Sequence, residues 1–220
     1  MELKMRLRNK PRAAGEIAAH PEWITITPED HKGQWQTKFA QPQPLCVEVG
    51  SGKGQFIIEM AKAHPDKNFI GIELQPSVII MILERQMVAQ LPNLFLIQAN
   101  GNRLTDFFAP AEVAELYLNF SDPWPKTRHA KRRLTHANFL KMYEIVLQPA
   151  GLFQFKTDNR GLFEFSLQSF NAYGMVFDDL SLDLHHSAQN ETNIETEYEH
   201  RFSQMGHPIY YIQAHFKTTD

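Results

Sequence analysis

The sequence predicts an α/β fold with a mostly parallel sheet, and three observations support that prediction. Short apolar strands alternate with amphipathic helices between residues 45 and 173, the pattern of repeated β-α-β units. The first strand runs into a glycine-rich turn that opens a helix. The tail then shows two longer strands of alternating polarity, which predict an antiparallel pair at the sheet edge. Helices are expected on both faces of the sheet.

The predicted elements follow one another with short connections. The parallel strands are predicted at 45–49, 68–72, 94–98, 115–120 and 151–156. The helices between them are predicted at 53–64, 76–90, 135–147 and 160–173. The tail is predicted to hold strands 175–184 and 209–216 and a short helix near 197–203. One short helix, 28–39, is predicted before the first strand. The chain therefore divides into a basic amino-terminal arm, 1–44, and an α/β domain, 45–220.

Composition limits the classes of function. The chain has 220 residues, 43% of them hydrophobic, and a formal net charge of −3. Any affinity for nucleic acid must therefore come from local patches. No segment has the pattern of a signal peptide or a membrane span, so we expect a soluble, cytosolic protein. The single cysteine, Cys46, excludes an internal disulfide, and its apolar neighbours predict a small core residue rather than a nucleophile. The arm carries one basic patch, Lys4, Arg6, Arg8, Lys10 and Arg12.

A stiff turn after strand 115–120 brings an acid and a second basic patch together. Asp122 follows the strand, and Pro123 and Pro125 push Asp122 and Trp124 toward extended conformations. We therefore expect a rigid support for the Asp122 carboxylate. The alternative is a surface turn followed by a solvated basic helix start. The patch that follows suits phosphate groups and consists of Lys126, Arg128, His129, Lys131, Arg132 and Arg133.

The glycine-rich turn differs from a nucleotide phosphate loop. Such a loop needs glycine where Val47 stands and serine or threonine where Gly54 stands, and a dinucleotide fold needs glycine where Gln55 stands. Glycines allow a ligand to approach the backbone closely, and a carboxylate suits a cation. The turn therefore favours a ligand with an ammonium or sulfonium group, such as S-adenosylmethionine, although a tight turn without a ligand is the alternative. The residues concerned are Glu48, Gly50, Gly52 and Gly54.

Two further strand ends carry polar side chains. Glu73 ends the second strand where a ribose-binding carboxylate would fall, or it is a helix-start acid. Asn100 follows the third strand and could bind an adenine edge or form a turn. Ligands of open α/β sheets bind beyond the carboxyl ends of the strands, so the strand ends should converge on one site. No cluster of Cys or His has metal-ligand spacing, and we predict no metal.

Several segments together resemble the bacterial tRNA (guanine-N7)-methyltransferase family. They are MRLRNKP at 5–11, EVGSGKGQF at 48–56, GIE at 71–73, LYLNFSDPWP at 116–125, RHAKRR at 128–133, FKTDNR at 155–160 and TEYE at 196–199. The resemblance covers the chain from the arm nearly to the last strand. It departs from the family at Asn100, where aspartate is common, and at Arg12, where an aromatic residue is common.

The resemblance implies a Rossmann-like methyltransferase fold and transfer of the S-adenosylmethionine methyl group to N7 of guanine 46 in the tRNA variable loop. It implies that Asp122 is the catalytic acid. Around the cofactor it implies Glu48, Glu73, Asn100 and Asp122, beside the glycines Gly50 and Gly52. In contact with tRNA it implies Lys126, Arg128, His129, Ala130, Lys131, Arg132, Arg133, Asp158, Thr196, Glu197, Tyr198 and Glu199.

Alternatives stay open at this point. Asp158 is either a second candidate acid or the cap of helix 160–173. Thr196 and Glu199 can form a helix capping box and still serve the substrate. A small-molecule methyltransferase would need neither basic patch, and an RNA-binding protein without a cofactor would not need Glu48 or Glu73. Both a monomer and a homodimer are compatible with the sequence.

Overall fold

The computed structural model of the protein describes residues 12–218. Their strands are β1 (Ile24–Thr25), β2 (Leu45–Val49), β3 (Asn68–Glu73), β4 (Leu94–Gln98), β5 (Val113–Asn119), β6 (Leu147–Thr157), β7 (Val176–Ser181) and β8 (Tyr210–His215). They form one sheet in the order β1-β4-β3-β2-β5-β6-β8-β7. Neighbours from β1 to β6 are parallel, whereas β8 runs antiparallel to β6 and β7. The predicted sheet, with its antiparallel edge pair, is confirmed.

Helices cover both faces of this sheet. They are α1 (Ala13–Ala19), α2 (Gln55–Ala63), α3 (Pro76–Ala89), α4 (Leu104–Phe107), α5 (Ala137–Val146), α6 (Arg160–Tyr173) and α7 (Glu197–Gln204). Alternate residues of a strand point to opposite faces. Val47 accordingly packs in one core cluster and Cys46 in the other, where Cys46 is fully buried, as predicted. Within residues 12–218, no helix is long and apolar enough to cross a membrane.

The segment before β2 differs from its prediction. The single helix predicted at 28–39 is wrong, because two short 3-10 helices, Pro28–His31 and Trp35–Lys38, occupy that stretch. Trp35 is fully buried, and its indole N–H donates to the carbonyl of Phe107 at 2.8 Å. The sequence also gave no sign of α1 or β1. Predictions for residues before position 12 lie outside the described residues.

Element boundaries shift where one element follows another directly. The helix predicted at 135–147 ends at Val146, because Leu147 already pairs with Val113 of β5. Strand β6 therefore starts earlier than its predicted start at 151. It has an irregular register with β5 near Ala150, whose φ is 55°. Helix α4 was also not predicted.

Candidate active site

The glycine-rich turn after β2 is left-handed at Gly50, Gly52 and Gly54, with φ of 82°, 54° and 83°. Only glycine adopts such angles at no steric cost. At Gly54 space is also restricted, since a Cβ there would lie 2.6 Å from Cγ2 of Ile82 on α3. The turn can therefore start α2 close against α3.

Glu48 and Asn119 form a buried polar pair at the ends of β2 and β5. Asn119 Nδ2 donates to Glu48 Oε1 at 2.8 Å. Within the described chain, Glu48 Oε2 and Asn119 Oδ1 have no hydrogen-bond partner, although both are buried. Burial raises the pKa of Glu48 to about 7, against the opposing effect of the Asn119 hydrogen bond. Buried acceptors are normally satisfied, so this pair fits a ligand that donates hydrogen bonds. Sequence reasoning missed Asn119, although its place at a strand end could have indicated it.

Glu73 and Asn100 hold the backbone at the next two strand ends. Glu73 accepts the N–H of Gly52 at 3.1 Å and that of Gln75 at 2.9 Å, so it connects β3 with the glycine turn. Burial raises the pKa of the Glu73 carboxyl. Asn100 Oδ1 accepts the N–H of Asn102 at 3.0 Å, so of the two alternatives for Asn100 the turn is present in the structure.

The turn that carries Asp122 has an unexpected backbone. Phe120 and Trp124 are left-handed, with φ of 53° and 42°. The extended conformation predicted for Trp124 is therefore wrong. A left-handed residue other than glycine costs roughly 1–2 kcal/mol, so neighbouring contacts must stabilise the turn. Asp122, within this turn, is exposed.

Arg133 supplies those contacts. Its Nε donates to the carbonyl of Pro123 and its Nη2 to the carbonyl of Trp124, each at 3.1 Å. Its guanidinium carbon lies 4.3 Å from the centre of the Phe165 ring on α6. The guanidinium of Arg132 lies 4.9 Å from the centre of the Trp124 ring. The physical reason for the wrong prediction is that contacts of these arginines, which lie outside the turn, outweigh the local preference of a residue before proline.

The basic patch otherwise faces outward. Residues Thr127–Arg132 form a 3-10 helix after the turn. Its exposed cations are Lys126, Arg128, Lys131 and Arg132. His129 is half-buried, with its ring 5.7 Å from the Trp124 ring.

Residues 196–199, called the 196–199 segment, contact three other parts of the site through ion pairs and ring packing. Thr196 and Glu199 form the predicted capping box of α7. Glu197 pairs with Arg85 of α3 and lies 3.7 Å from Nζ of Lys53. The Tyr198 ring packs 5.0 Å from the Phe120 ring. Glu199 is fully buried against Lys156 of β6, at 2.7 Å.

Asp158 does not cap α6. The cap is Asn159, whose side chain accepts the N–H of Leu162 at 2.8 Å. Of the two alternatives for Asp158, the structure therefore excludes the helix cap, because α6 begins one residue later than that role requires. Asp158 instead accepts the hydroxyl of Tyr198 at 3.3 Å.

Two neighbouring cavities open at these strand ends. The larger, about 620 Å³, is lined among others by Gly50, Glu73, Asn100, Asp122, Lys131 and Arg132. The smaller, about 390 Å³, is lined among others by Glu48, Gly50, Gly52, Thr196, Glu197 and Tyr198. Both are lined by Gly50, Asn119 and Phe120. The predicted convergence of the strand ends is confirmed. The site residues from the sequence that line neither cavity are Lys126, Arg128, His129, Ala130, Arg133, Asp158 and Glu199.

Known proteins resemble this chain over most of its length. It matches the family described as "putative methyltransferase" over residues 42–212. It is 61% identical over 212 residues to the tRNA (guanine-N(7)-)-methyltransferase of Lactiplantibacillus plantarum, covering 96% of this chain and 99% of that protein. It is 59% identical over 213 residues to the protein of the same name from Latilactobacillus sakei, covering 97% and 100%.

Solved structures of lower identity share the fold. The 16S rRNA methyltransferase KamB superposes with a TM-score of 0.64 at 14% identity, over 84% of this chain and 94% of that one. The antibiotic-resistance methyltransferase Kmr gives 0.59 at 16% identity, over 86% and 93%.

Fold and family define a class, the Rossmann-like methyltransferases whose methyl donor is S-adenosylmethionine. Within that class, the chain belongs to the tRNA (guanine-N7)-methyltransferase family. The resemblance stated from the sequence motifs is thereby confirmed.

Proposed function

We propose that this protein transfers the methyl group of S-adenosylmethionine to N7 of guanine 46 in the variable loop of tRNA. The observation that carries the proposal is one cavity in which Glu73, Asn100 and Asp122 lie beside the cations Lys131 and Arg132. Carboxylates and an amide suit the cofactor, whereas exposed cations suit a phosphate backbone. The names of the relatives support tRNA as substrate and guanine N7 as acceptor. Position 46 rests on the motif resemblance.

The residues present fit the cofactor. Glu48 Oε2 and Asn119 Oδ1, which have no hydrogen-bond partner among residues 12–218, offer two buried acceptors to its ammonium group. Glu73 offers a carboxylate to ribose hydroxyls, and Asn100 can both donate to and accept from an adenine edge. When bound, S-adenosylmethionine supplies an electrophilic methyl group on its sulfonium. The proposed cofactor residues are Glu48, Gly50, Gly52, Glu73, Asn100 and Asp122.

Asp122 is the proposed catalytic residue. Guanine N7 has an in-plane lone pair and needs no general base, so the protein's task is alignment and charge stabilisation. The purine gains positive charge as the methyl group arrives, and a carboxylate beside it stabilises that charge. Asp122 lies on a turn that Arg133 holds at two carbonyls. Asp158 is the second candidate.

The tRNA contacts follow from charge and position. N7 lies in the major groove, which is deep and narrow in A-form RNA, so the target base must be in a loop or an opened region. We propose that exposed cations of the 126–133 patch neutralise phosphates there, and that Thr196, Glu197 and Tyr198 line the base side of the smaller cavity. Arg133 and Glu199 contribute by holding their neighbours, since their side chains bind the protein itself.

Methylation of paired transcripts tests the proposal. Unmodified tRNA with guanine at position 46, and the same transcript with adenine there, are incubated with the protein and S-adenosylmethionine carrying a labelled methyl group. We expect labelled 7-methylguanosine from the first transcript and none from the second. Label in 7-methylguanosine from both would overturn position 46. Absence of that nucleoside from both would overturn the function.

A further inference from the structure

Lys156 lies near the carboxyl end of β6, and its side chain is fully buried. Lysine is almost never fully buried unless it is paired, because desolvation of its charge is costly. Its neighbour on β5 is Asn119, the residue that binds Glu48. A buried cation therefore lies beside Asn119, a residue that lines both cavities.

The Lys156 ammonium donates its hydrogen bonds to residues 193–199, and it also lies 5.1 Å from the centre of the Phe56 ring on α2. Nζ lies 2.7 Å from Oε2 of Glu199, 2.9 Å from the carbonyl of Ile194 and 3.0 Å from Oδ1 of Asn193. An ammonium has three donors, so these contacts satisfy it. Asn193 also donates to Oε1 of Glu199 at 2.7 Å. Lys156 thereby binds both residues 193–194, just before α7, and the first turn of α7 at Glu199.

The backbone of Lys156 holds a second element of the site. Its carbonyl accepts the N–H of Phe120 at 2.9 Å, where the left-handed turn toward Asp122 begins. Phe120 and Tyr198 line the smaller cavity and pack on each other. One residue therefore connects the Asp122 turn with the segment that carries Tyr198.

We propose that Lys156 is a positioning residue, which fixes the 196–198 wall of the smaller cavity relative to the Asp122 turn and so aligns the guanine base for methyl transfer. The inference rests on the proposed function. Misplacement of a reacting group by about 1 Å can cost roughly 100-fold in rate. Glu73 and Asn100, proposed for the ribose and adenine of the cofactor, line the larger cavity, whereas Glu48, proposed for its ammonium group, lines the smaller cavity with residues 196–198, so Lys156 should affect cofactor affinity less than it affects the reaction with tRNA.

Lys156→Met removes the ammonium and keeps a long apolar side chain. We expect kcat/KM for tRNA at saturating S-adenosylmethionine to fall roughly 10- to 100-fold, with less than roughly threefold change in the affinity for S-adenosylhomocysteine. Lys67→Met is the matched control, because Lys67 forms a partly buried pair with Glu115, 2.6 Å from Nζ to Oε1, toward the amino ends of the strands. Equal kcat/KM in the two variants, or a parallel loss of S-adenosylhomocysteine affinity, would overturn the proposal.

A milder variant covers the case in which Lys156→Met does not fold. Glu199→Gln keeps the shape, can keep the capping box, and still accepts a hydrogen bond from Lys156. Charge-assisted hydrogen bonds are about twice as strong as neutral ones, so we expect a loss of roughly threefold to tenfold in kcat/KM for tRNA. Wild-type kinetics from this variant would count against the proposal.

Hydrogen–deuterium exchange distinguishes failure of this inference from failure of the proposed function. If the wild-type protein transfers no methyl group to tRNA, the proposed function is wrong, and exchange alone decides on Lys156. Faster exchange of amides 193–204 in the Lys156 or Glu199 variant than in Lys67→Met supports its positioning role. Equal exchange in this segment overturns it.

Discussion

The glycine turn at 50–54 and the Asp122 turn at 120–124 follow adjacent parallel strands, and both use left-handed backbone. They reach it differently. The first has glycine at each left-handed position, so the conformation costs little. The second has Phe120 and Trp124 there, so side chains elsewhere must stabilise it, chiefly Arg133. The shape of one turn is therefore set by its own residues, whereas that of the other depends on contacts with side chains outside the turn.

This difference suggests a division of labour. A turn shaped by its own glycines can bind a cofactor through its backbone without help from the tRNA side of the site. The Asp122 turn is held by Arg133, and its carboxylate lies beside the cations that we propose bind tRNA. We therefore expect substitutions near the glycine turn to change folding and cofactor affinity, and substitutions around the Asp122 turn to change the rate of transfer.

The largest expected effect on stability is at Gly54. Gly54→Ala combines a left-handed alanine, roughly 1–2 kcal/mol, with overpacking against Ile82, roughly 1–3 kcal/mol. We expect the free energy of unfolding in urea to fall by roughly 2–5 kcal/mol. Gly50→Ala is the control, because its Cβ would meet nothing within 4 Å and only the first cost applies. Equal losses in the two variants would refute the packing argument.

The next effect is a pH dependence of stability caused by titration of Glu48, whose hydrogen bond with Asn119 links the strands before the two turns. Its pKa of about 7 in the folded protein lies above the usual value near 4.5, so the folded state binds one more proton between these pH values. The free energy of unfolding of the cofactor-free protein should therefore fall as pH rises from about 4.5 to about 7, by roughly 2–4 kcal/mol in total. The charges of Lys156 and Glu73 have opposite effects on the pKa of Glu48, since Lys156 lowers it and Glu73 raises it.

Comparison with Glu48→Gln isolates that contribution, since burial raises the pKa of Glu73 as well. Urea unfolding of both proteins at several pH values gives the difference. The wild-type protein should lose more stability than Glu48→Gln across this range. Parallel curves would show that Glu48 titrates normally in the folded state.

A smaller effect is expected at Arg133. Arg133→Met leaves two carbonyls without their donor and should cost roughly 1–2 kcal/mol of stability and about tenfold in single-turnover rate. The salt dependence of tRNA binding should be unchanged.

Lys131→Met, at an exposed cation, should leave stability intact and reduce the slope of log affinity against log salt by roughly 0.7–0.9. The assignment of Arg133 to the turn and of Lys131 to phosphate contacts would be contradicted if Arg133→Met changed the slope and Lys131→Met did not.

The fold was predictable where the hydrophobic pattern is local. The apolar runs at 45–49 and 94–98 are strands with the predicted bounds, and their ends locate Glu48 and Asn100 correctly. The two-residue strand β1 could not be predicted, because it exists only through pairing of Ile24 and Thr25 with β4. The same limit applies to α1, whose buried residues pack with distant helices.

Prediction of the site failed where contacts with other parts of the chain determine a residue's conformation or its partners. Trp124 precedes proline and was predicted to be extended, but the arginines at 132 and 133 determine its conformation. Asn119 ends β5 and Lys156 lies near the carboxyl end of β6, but their contacts come from another strand and from residues 193–199. No local pattern marks such partners.

The division of labour between the two turns is tested most directly by measuring single-turnover tRNA methylation and S-adenosylhomocysteine affinity for Asp122→Asn and Glu73→Ala. Asp122→Asn keeps size and removes charge, so its rate at saturating tRNA and cofactor should fall roughly 100- to 1000-fold, with a much smaller loss of affinity for S-adenosylhomocysteine. Glu73→Ala should show the reverse, weakened affinity and a nearly normal rate at saturation. A wild-type rate from Asp122→Asn would contradict the account and transfer the catalytic role to Asp158.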